Sequence, residues 1–216
     1  MMRHLSSERV GDFAAIYDED VELISVDRSR SDALEDLKAQ VFSLPYLVQA
    51  RWEQGPGGAD STAAATPVDE SLPPSLDAAG LATLQAEITA AGDMLCELLG
   101  CSHVGVRVTA LRGPMCPRFH VDRVPCRLLI TLGGGGTEWI PNPAVDRELF
   151  ADRDNQAPPL RTDGAIEQLA ATNWSLLKGG AWDGSFTGVV HRSPHQPGER
   201  LLLSLDPIFR GPRRYN

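Results

Sequence analysis

The stretch that decides the fold is residues 103–132, HVGVRVTALRGPMCPRFHVDRVPCRLLITL. Its first part alternates Val104, Val106 and Val108 with small or polar residues, and its last part, residues 127–132, is rich in leucine and β-branched side chains. Alternation with a period of two is typical of a strand with one buried face. We therefore predict two strands, joined by a proline-bearing segment that carries a histidine and an aspartate.

Short strands with glycine- and proline-bearing turns are predicted on both sides of this stretch. They cover residues 21–26, 137–140, 174–177, 186–191 and 200–205. Helical spacing of apolar residues predicts helices over residues 32–42, from a cap at Asp77 to a stop at Gly100, and around residues 164–171. This combination favours an α+β fold with a sandwich or barrel core.

The pattern changes near residue 100, which divides the chain unevenly. We predict a helical and loop-rich lobe over residues 1–100, including a Pro/Gly-rich loop over residues 53–77. Residues 101–216 are predicted to form the β core and to carry the functional site.

Composition excludes several classes of function. The 216 residues include 20 basic and 29 acidic side chains, for a formal net charge of −9, which argues against nucleic acid as a bulk partner. No apolar run approaches the roughly 18–20 residues of a membrane span, and the polar start lacks the apolar middle of a secretory signal. We therefore expect a cytoplasmic protein without a membrane partner.

The four cysteines show neither a CxxC pair nor a regular framework. This usage is typical of free thiols in a reducing compartment rather than of stapling disulfides. Cys96, Cys101 and His103 could begin a zinc site, but their gaps differ from the common structural zinc patterns.

Three candidate metal ligands stand out in the predicted β core: His120, Asp122 and His191. Residues i and i+2 of an extended segment face the same side, so His120 and Asp122 can point inward together. A histidine from a distant strand would complete two histidines and one carboxylate, a set that holds non-haem Fe(II) and leaves coordination positions open. The competing interpretation is a surface pair on one strand and a polar loop at the other.

A basic residue follows the second histidine after a proline- and glycine-bearing turn. Arg200 opens the next predicted strand, and if residues 191 and 200 pair across a hairpin, their side chains share a face. Its guanidinium would there bind a carboxylate through two parallel hydrogen bonds. The alternative is an arginine that only caps the strand.

Three segments together resemble the Fe(II)/2-oxoglutarate-dependent oxygenases: residues 119–122 (FHVD), 182–194 (WDGSFTGVVHRSP) and 199–204 (ERLLLS). The resemblance covers roughly residues 103–210, and it extends to a small uncharacterised bacterial domain family within that superfamily. It implies a double-stranded β-helix (jelly-roll) core with N-terminal helices packed on it. It also implies Fe(II) held by His120, Asp122 and His191, and 2-oxoglutarate held by Arg200.

The spacing between His191 and Arg200 resembles that of the prolyl-hydroxylase-type members, whereas the Arg-x-Ser signature of many relatives is absent. Arg107, Thr109, Arg127 and Thr131 are candidate additional contacts of 2-oxoglutarate. The favoured function is a hydroxylase-type oxygenase acting on a small molecule or a peptide. The alternatives are a non-catalytic jelly-roll protein that binds a metal or small ligand, and a cupin-like metalloenzyme without 2-oxoglutarate.

Overall fold

The structure of the protein, a computed structural model, describes five stretches of the chain: residues 2–28, 31–58, 76–184, 186–195 and 198–210. They belong to two compact units. The first unit comprises Met1–Ser29 and Leu111–Arg200, and the second comprises Arg30–Ala110 and Leu201–Asn216. The boundary predicted at residue 100 rests on the composition of the sequence, and it stays a prediction.

The second unit contains both long helices that the sequence predicts. Helix α1 spans Asp32–Ser43 and helix α2 spans Ala78–Leu99. The Asp77 carboxylate accepts hydrogen bonds from the first free backbone N–H groups of α2, and Gly100 ends the helix in the left-handed conformation at φ 64°. Both predicted ends of α2 are therefore confirmed.

Three strands accompany these helices. They lie in the order β10 (Arg200–Ile208), β4 (His103–Leu111) and β3 (Gln49–Gln54), with β3 and β4 antiparallel. The alternation around Val106 is confirmed by β4, in which Val104, Val106 and Val108 are buried. The predicted loop over residues 53–77 begins within β3, and its residues 59–75 lie outside the described residues.

The described residues of the first unit form two sheets, of which the larger has four strands. Their order is β1 (Arg3–Ser7), β2 (Val21–Val26), β8 (Trp174–Lys178) and β5 (Cys126–Gly133). The β1–β2 pair is parallel, and the other pairs are antiparallel. Every residue of β2 and β8 is buried, including the charged side chains of Glu22 and Lys178.

The smaller sheet has the order β7 (Glu167–Gln168), β6 (Glu138–Ile140) and β9 (Val190–Arg192). The helix predicted around residues 164–171 is wrong, because pairing with β6 takes the backbone groups that a helix would use. The predicted strand over 186–191 shortens to β9. The predicted pairing of residues 191 and 200 is also wrong, since β9 pairs with β6 instead.

A short helix α3 (Arg147–Ala151) interrupts the long turn-rich segment after β6. Asp146 caps it by accepting hydrogen bonds from Glu148 and Leu149, a local signal that the sequence does contain. The architecture is thus mixed α/β with mainly antiparallel strands. None of the helices described here has the length and apolar character needed to cross a bilayer.

Glu22 is a carboxylate buried within β2. The residue is 0% exposed, and both its oxygens lie 3.2 Å from the backbone nitrogen of Asn142, which donates to them. Burial raises the pKa of Glu22 to about 7, although the Asn142 hydrogen bond and the charges of Arg147 and Lys178 act in the opposite direction. Glu167 adds to the increase.

We expect Glu22 to make the protein less stable as the pH rises. The folded state binds this proton more tightly than the unfolded state, whose carboxyl has the ordinary pKa of 4.5. The free energy of unfolding therefore falls between about pH 4.5 and pH 7, in total by on the order of 3 kcal/mol. Glu22→Gln should remove this slope from the pH dependence of the thermal midpoint. Glu19→Gln, at an exposed carboxylate, should keep it, and identical profiles for wild type and Glu22→Gln would contradict the assignment.

Candidate metal centre

A backbone bridge brings two distant histidines together in the first unit. The N–H of His120 donates to the carbonyl of His191 at 2.9 Å, and the N–H of His191 donates back at 3.0 Å. Residues paired in this way across antiparallel strands project their side chains to the same face. The two imidazole rings accordingly lie with their centroids 4.6 Å apart.

Asp122 joins this pair from the same side of the extended segment. Its Oδ2 lies 3.3 Å from His191 Nε2, and its Oδ1 lies 3.8 Å from His120 Nε2. One ligand atom from each of the three side chains falls within 4.8 Å of the others, and no second such group of three occurs in the described part of the chain. The structure thus brings together all three metal ligands that the sequence nominates.

The outer nitrogen of each ring is held by the backbone. His120 Nδ1 lies 3.0 Å from the carbonyl oxygen of Arg118, and His191 Nδ1 lies 3.0 Å from that of Val189. A carbonyl oxygen can only accept, so each Nδ1 must carry the proton. Each ring therefore turns Nε2 toward Asp122, in the orientation that a metal-binding histidine requires.

Asp122 is ionised although it is largely buried. Burial on its own would raise the pKa, but the contact with His191 and the positive charge of Arg127 lower the pKa of Asp122 to about 2. Arg127, predicted from the sequence as a contact of 2-oxoglutarate, places its Nη1 2.8 Å from Asp122 Oδ1. Burial lowers the pKa of His120, which favours the neutral imidazole.

The loop between β8 and β9 packs behind this segment. The N–H of Gly180 donates to the Asp122 carbonyl at 2.8 Å. Gly188 has a φ of 85°, and a Cβ at this position would lie 2.2 Å from Val121 Cγ1 and 2.8 Å from the Gly180 nitrogen. Glycine is therefore required here both for its conformation and for its close approach to the ligand-bearing segment.

Arg200 is a buried cation without an acidic partner among the described residues. The residue is 4% exposed, and its Nη2 donates to Thr137 Oγ1 at 2.6 Å and to Thr131 Oγ1 at 3.3 Å. Its Nε has no hydrogen-bond partner. Burial lowers the pKa of Arg200 to about 10, so the side chain remains charged at neutral pH. A cavity of about 170 Å³ reaches this residue.

Thr137 is the residue of this group that the sequence reasoning missed. The signal for it is the run of four glycines that precedes it, because glycine at a strand end often marks a close approach of another backbone. Gly134 has a φ of 94°, and a Cβ there would lie 2.3 Å from the Glu199 carbonyl oxygen and 2.9 Å from Arg200 Cα. The glycine run thus admits the chain that carries Arg200.

The donor set suits a divalent first-row metal ion. Two imidazole nitrogens and one carboxylate form the facial set of non-haem Fe(II) sites. Adjacent donors of an octahedral ion stand about 3 Å apart when metal–donor bonds are roughly 2.1 Å. Asp122 Oδ2 lies 3.3 Å from His191 Nε2 and Oδ1 lies 3.8 Å from His120 Nε2, both slightly wider, so small side-chain movements would bring one carboxylate oxygen and the two imidazole nitrogens around a cation.

The other candidates from the sequence do not join this centre. Cys96 and Cys101 in the second unit place their sulfur atoms 3.4 Å apart, but His103 forms no metal-binding group with them. All four cysteines are free thiols. Arg107 is largely exposed and pairs with Asp206 at 3.0 Å.

The chain matches one protein family over almost its whole length. Residues 7–206 match the family described as "Protein of unknown function (DUF1826)". No curated protein matches the chain by sequence.

Several solved structures share the fold. The dioxygenase for auxin oxidation of rice aligns with a TM-score of 0.52 at 14% identity, over 96% of this chain and 83% of that chain. The Arabidopsis thaliana dioxygenase for auxin oxidation 1, in a binary complex with 2-oxoglutarate, gives 0.51 at 13% identity, with coverages of 98% and 94%. A candidate oxygenase of Shewanella oneidensis gives 0.50 at 13%, with coverages of 97% and 91%. The predicted resemblance to Fe(II)/2-oxoglutarate-dependent oxygenases is thus confirmed as a likeness of fold.

We expect Gly188→Ala to destabilise the protein more than Gly184→Ala. Both glycines have positive φ, at 85° and 94°, but an added Cβ meets no atom within 4 Å at Gly184. Backbone strain alone should cost about 1–3 kcal/mol at either position, and the overlap with Val121 should add about 1–3 kcal/mol at Gly188. Denaturant unfolding measures both. Val121→Ala in the Gly188→Ala background should recover part of the loss, and equal losses at the two glycines would refute the steric account.

Proposed function

We propose that this chain, which belongs to the DUF1826 family of proteins of unknown function, is a mononuclear non-haem Fe(II)/2-oxoglutarate-dependent oxygenase of the hydroxylase type. The observation that carries the proposal is the convergence of His120, Asp122 and His191 within 4.8 Å. The fold shared with structures described as dioxygenases supports it.

The finer fold that we propose is a double-stranded β-helix formed around the two sheets of the first unit. Arg127 and Thr131 lie four residues apart on β5 and therefore face the same side of the larger sheet. Arg127 contacts Asp122, and Thr131 contacts Arg200. The ligand group and the buried arginine thus lie along one face of this sheet, as the interior of such a barrel requires.

The charges favour a cosubstrate with two acidic groups. Asp122 and Arg127 neutralise one another, so a bound divalent cation would add two positive charges, and Arg200 would add a third. No carboxylate among the described residues offsets Arg200, and a buried unpaired charge is costly. An anion such as 2-oxoglutarate would satisfy the cation with one end and Arg200 with the other.

Bound Fe(II) would supply the activation of dioxygen and the oxidation of the cosubstrate. The chain itself supplies donors and orientation. His120 and His191 offer Nε2 lone pairs that Arg118 and Val189 fix in direction, and Asp122 offers a carboxylate that is already ionised. Thr131 and Thr137 hold the Arg200 guanidinium in place.

The substrate would approach from the side of His120. This imidazole side chain is 35% exposed, whereas those of Asp122 and His191 are 13% and 7% exposed. We propose a small molecule or a peptide as substrate and the cytoplasm as the compartment. The four free cysteines support the cytoplasm as the compartment. The net charge of −9 argues against nucleic acid as a partner.

The test is anaerobic addition of Fe(II) and 2-oxoglutarate. We expect a weak visible charge-transfer band that requires both additions and disappears in His191→Ala, because that variant lacks one metal donor. His195→Ala, at an exposed histidine outside the ligand group, should keep the band. Arg200→Gln should raise the 2-oxoglutarate concentration needed for the band at least tenfold while leaving metal affinity unchanged, since a charged hydrogen bond contributes about 1.5–3 kcal/mol.

Two outcomes would favour the alternative functions. Stoichiometric metal binding without a band and without succinate release would indicate a non-catalytic metal-binding protein. Oxygen consumption with Fe(II) but without 2-oxoglutarate would indicate a cupin-like enzyme. Either result would overturn the proposal that the protein uses 2-oxoglutarate.

A further inference from the structure

Another cavity of the first unit lies behind the bridge between His120 and His191. Val190 and Arg192 flank His191 on β9 and therefore point to the opposite face of the strand from its imidazole. Phe119 packs with Val190 in a buried cluster, and the Arg192 guanidinium carbon lies 4.3 Å from the centroid of the Phe119 ring. Phe119 and Arg192 both line this cavity, whereas none of the three proposed metal ligands lines it in the described part of the chain. The cavity is therefore separate from the candidate metal centre.

The walls of this cavity are largely apolar and are held in place by hydrogen bonds. Leu149 and Phe150 of α3 contribute to the lining, together with the two prolines of residues 158–159. Asn155 Nδ2 donates to the carbonyl oxygens of Leu149 at 3.2 Å and of Ala157 at 3.0 Å. Its Oδ1 accepts from the N–H of Ala157 at 3.0 Å. These bonds tie the loop after α3 to the helix, so the cavity has its shape before a ligand binds.

The charged side chains that line the cavity favour an anion. Arg118 and Arg192 belong to the lining, and no Asp or Glu among the described residues does. Glu138 neutralises Arg192, since its Oε2 lies 2.7 Å from Arg192 Nε. Arg118 donates from Nη2 to the carbonyl oxygen of Asp152 at 2.8 Å, and it forms no ion pair within the described part of the chain. A carboxylate in the cavity would thus meet a guanidinium whose charge is not compensated.

We propose that this cavity binds a small monocarboxylate with an apolar body. Its volume of about 220 Å³ is below the roughly 300–1,000 Å³ of drug-sized ligand sites, so it suits a molecule of one ring. The carboxylate would bind Arg118, and the ring would pack against Leu149 and Phe150. The site goes beyond the proposed oxygenase function and does not depend on it, because it contains no proposed metal ligand.

The experiment compares benzoate with benzamide, which have nearly the same size and shape but differ in charge. Binding to the full-length protein is measured without added metal, by saturation-transfer NMR titration. We expect a roughly millimolar Kd for benzoate and a Kd about threefold higher for benzamide, because Arg118 is exposed and its pairing with a carboxylate is partly screened. Arg118→Gln should abolish this difference. Arg153→Gln, at an exposed arginine outside the lining, should keep it.

A second variant tests the apolar wall. Leu149→Ala should raise the Kd of both probes about threefold, because each ring loses part of an apolar contact. Leu47→Ala is the matched control, since Leu47 is 40% exposed and Leu149 is 39% exposed, but Leu47 lies in the second unit. This control should leave both Kd values unchanged.

Three results would overturn the inference. They are the absence of benzoate binding, equal affinities of the wild type for the two probes, and an unchanged preference for benzoate in Arg118→Gln. Loss of benzoate binding in Arg200→Gln would also overturn it, because the carboxylate would then lie at Arg200. The titration contains no metal, so a missing charge-transfer band has no bearing on it, and its failure is distinguishable from failure of the proposed function.

Discussion

The two hydrogen bonds between the backbones of His120 and His191 are the constraint on which the site depends. They join segments that are far apart in sequence and fix their register, so that both imidazoles face one side. A shift of one residue would turn either ring to the opposite face. The same bridge aligns Asp122, which follows His120 by two positions. Geometry at the site is thus set by backbone pairing, and the side chains only complete it.

The loops around this bridge serve that register. Gly188 allows the segment before β9 to lie directly behind Val121, at a distance that a side chain would prevent. The two histidines use the same device, in which Nδ1 donates to the carbonyl two residues earlier. The glycine sets the distance between two segments that are far apart in sequence, and the hydrogen bonds fix the direction of each imidazole. A site built this way requires little reorganisation when a ligand binds.

Much of this could be predicted from residues alone, since period-two alternation, the Asp77 cap and the His-x-Asp spacing are local signals. The predictions that were wrong depended on the pairing of strands far apart in sequence. The apolar spacing of residues 164–171 is compatible with a helix, but Glu167–Gln168 pairs with β6. The pairing of residues 191 and 200 across their turn also looked plausible, yet His191 pairs with Trp139. Thr137 escaped because the glycine run before it indicates the close approach of another backbone without indicating which one.

The contacts of Arg200 show why the missed residue Thr137 matters. The position of Arg200 is determined by two threonine hydroxyls and by the close approach at Gly134, and not by a hairpin with His191. A buried guanidinium with one unpartnered nitrogen lowers the stability of the folded chain. Packing cannot account for such a residue, because an apolar side chain of similar size would fill the space at lower cost. An anionic ligand would compensate the charge, and this links the least favourable feature of the first unit to its proposed chemistry.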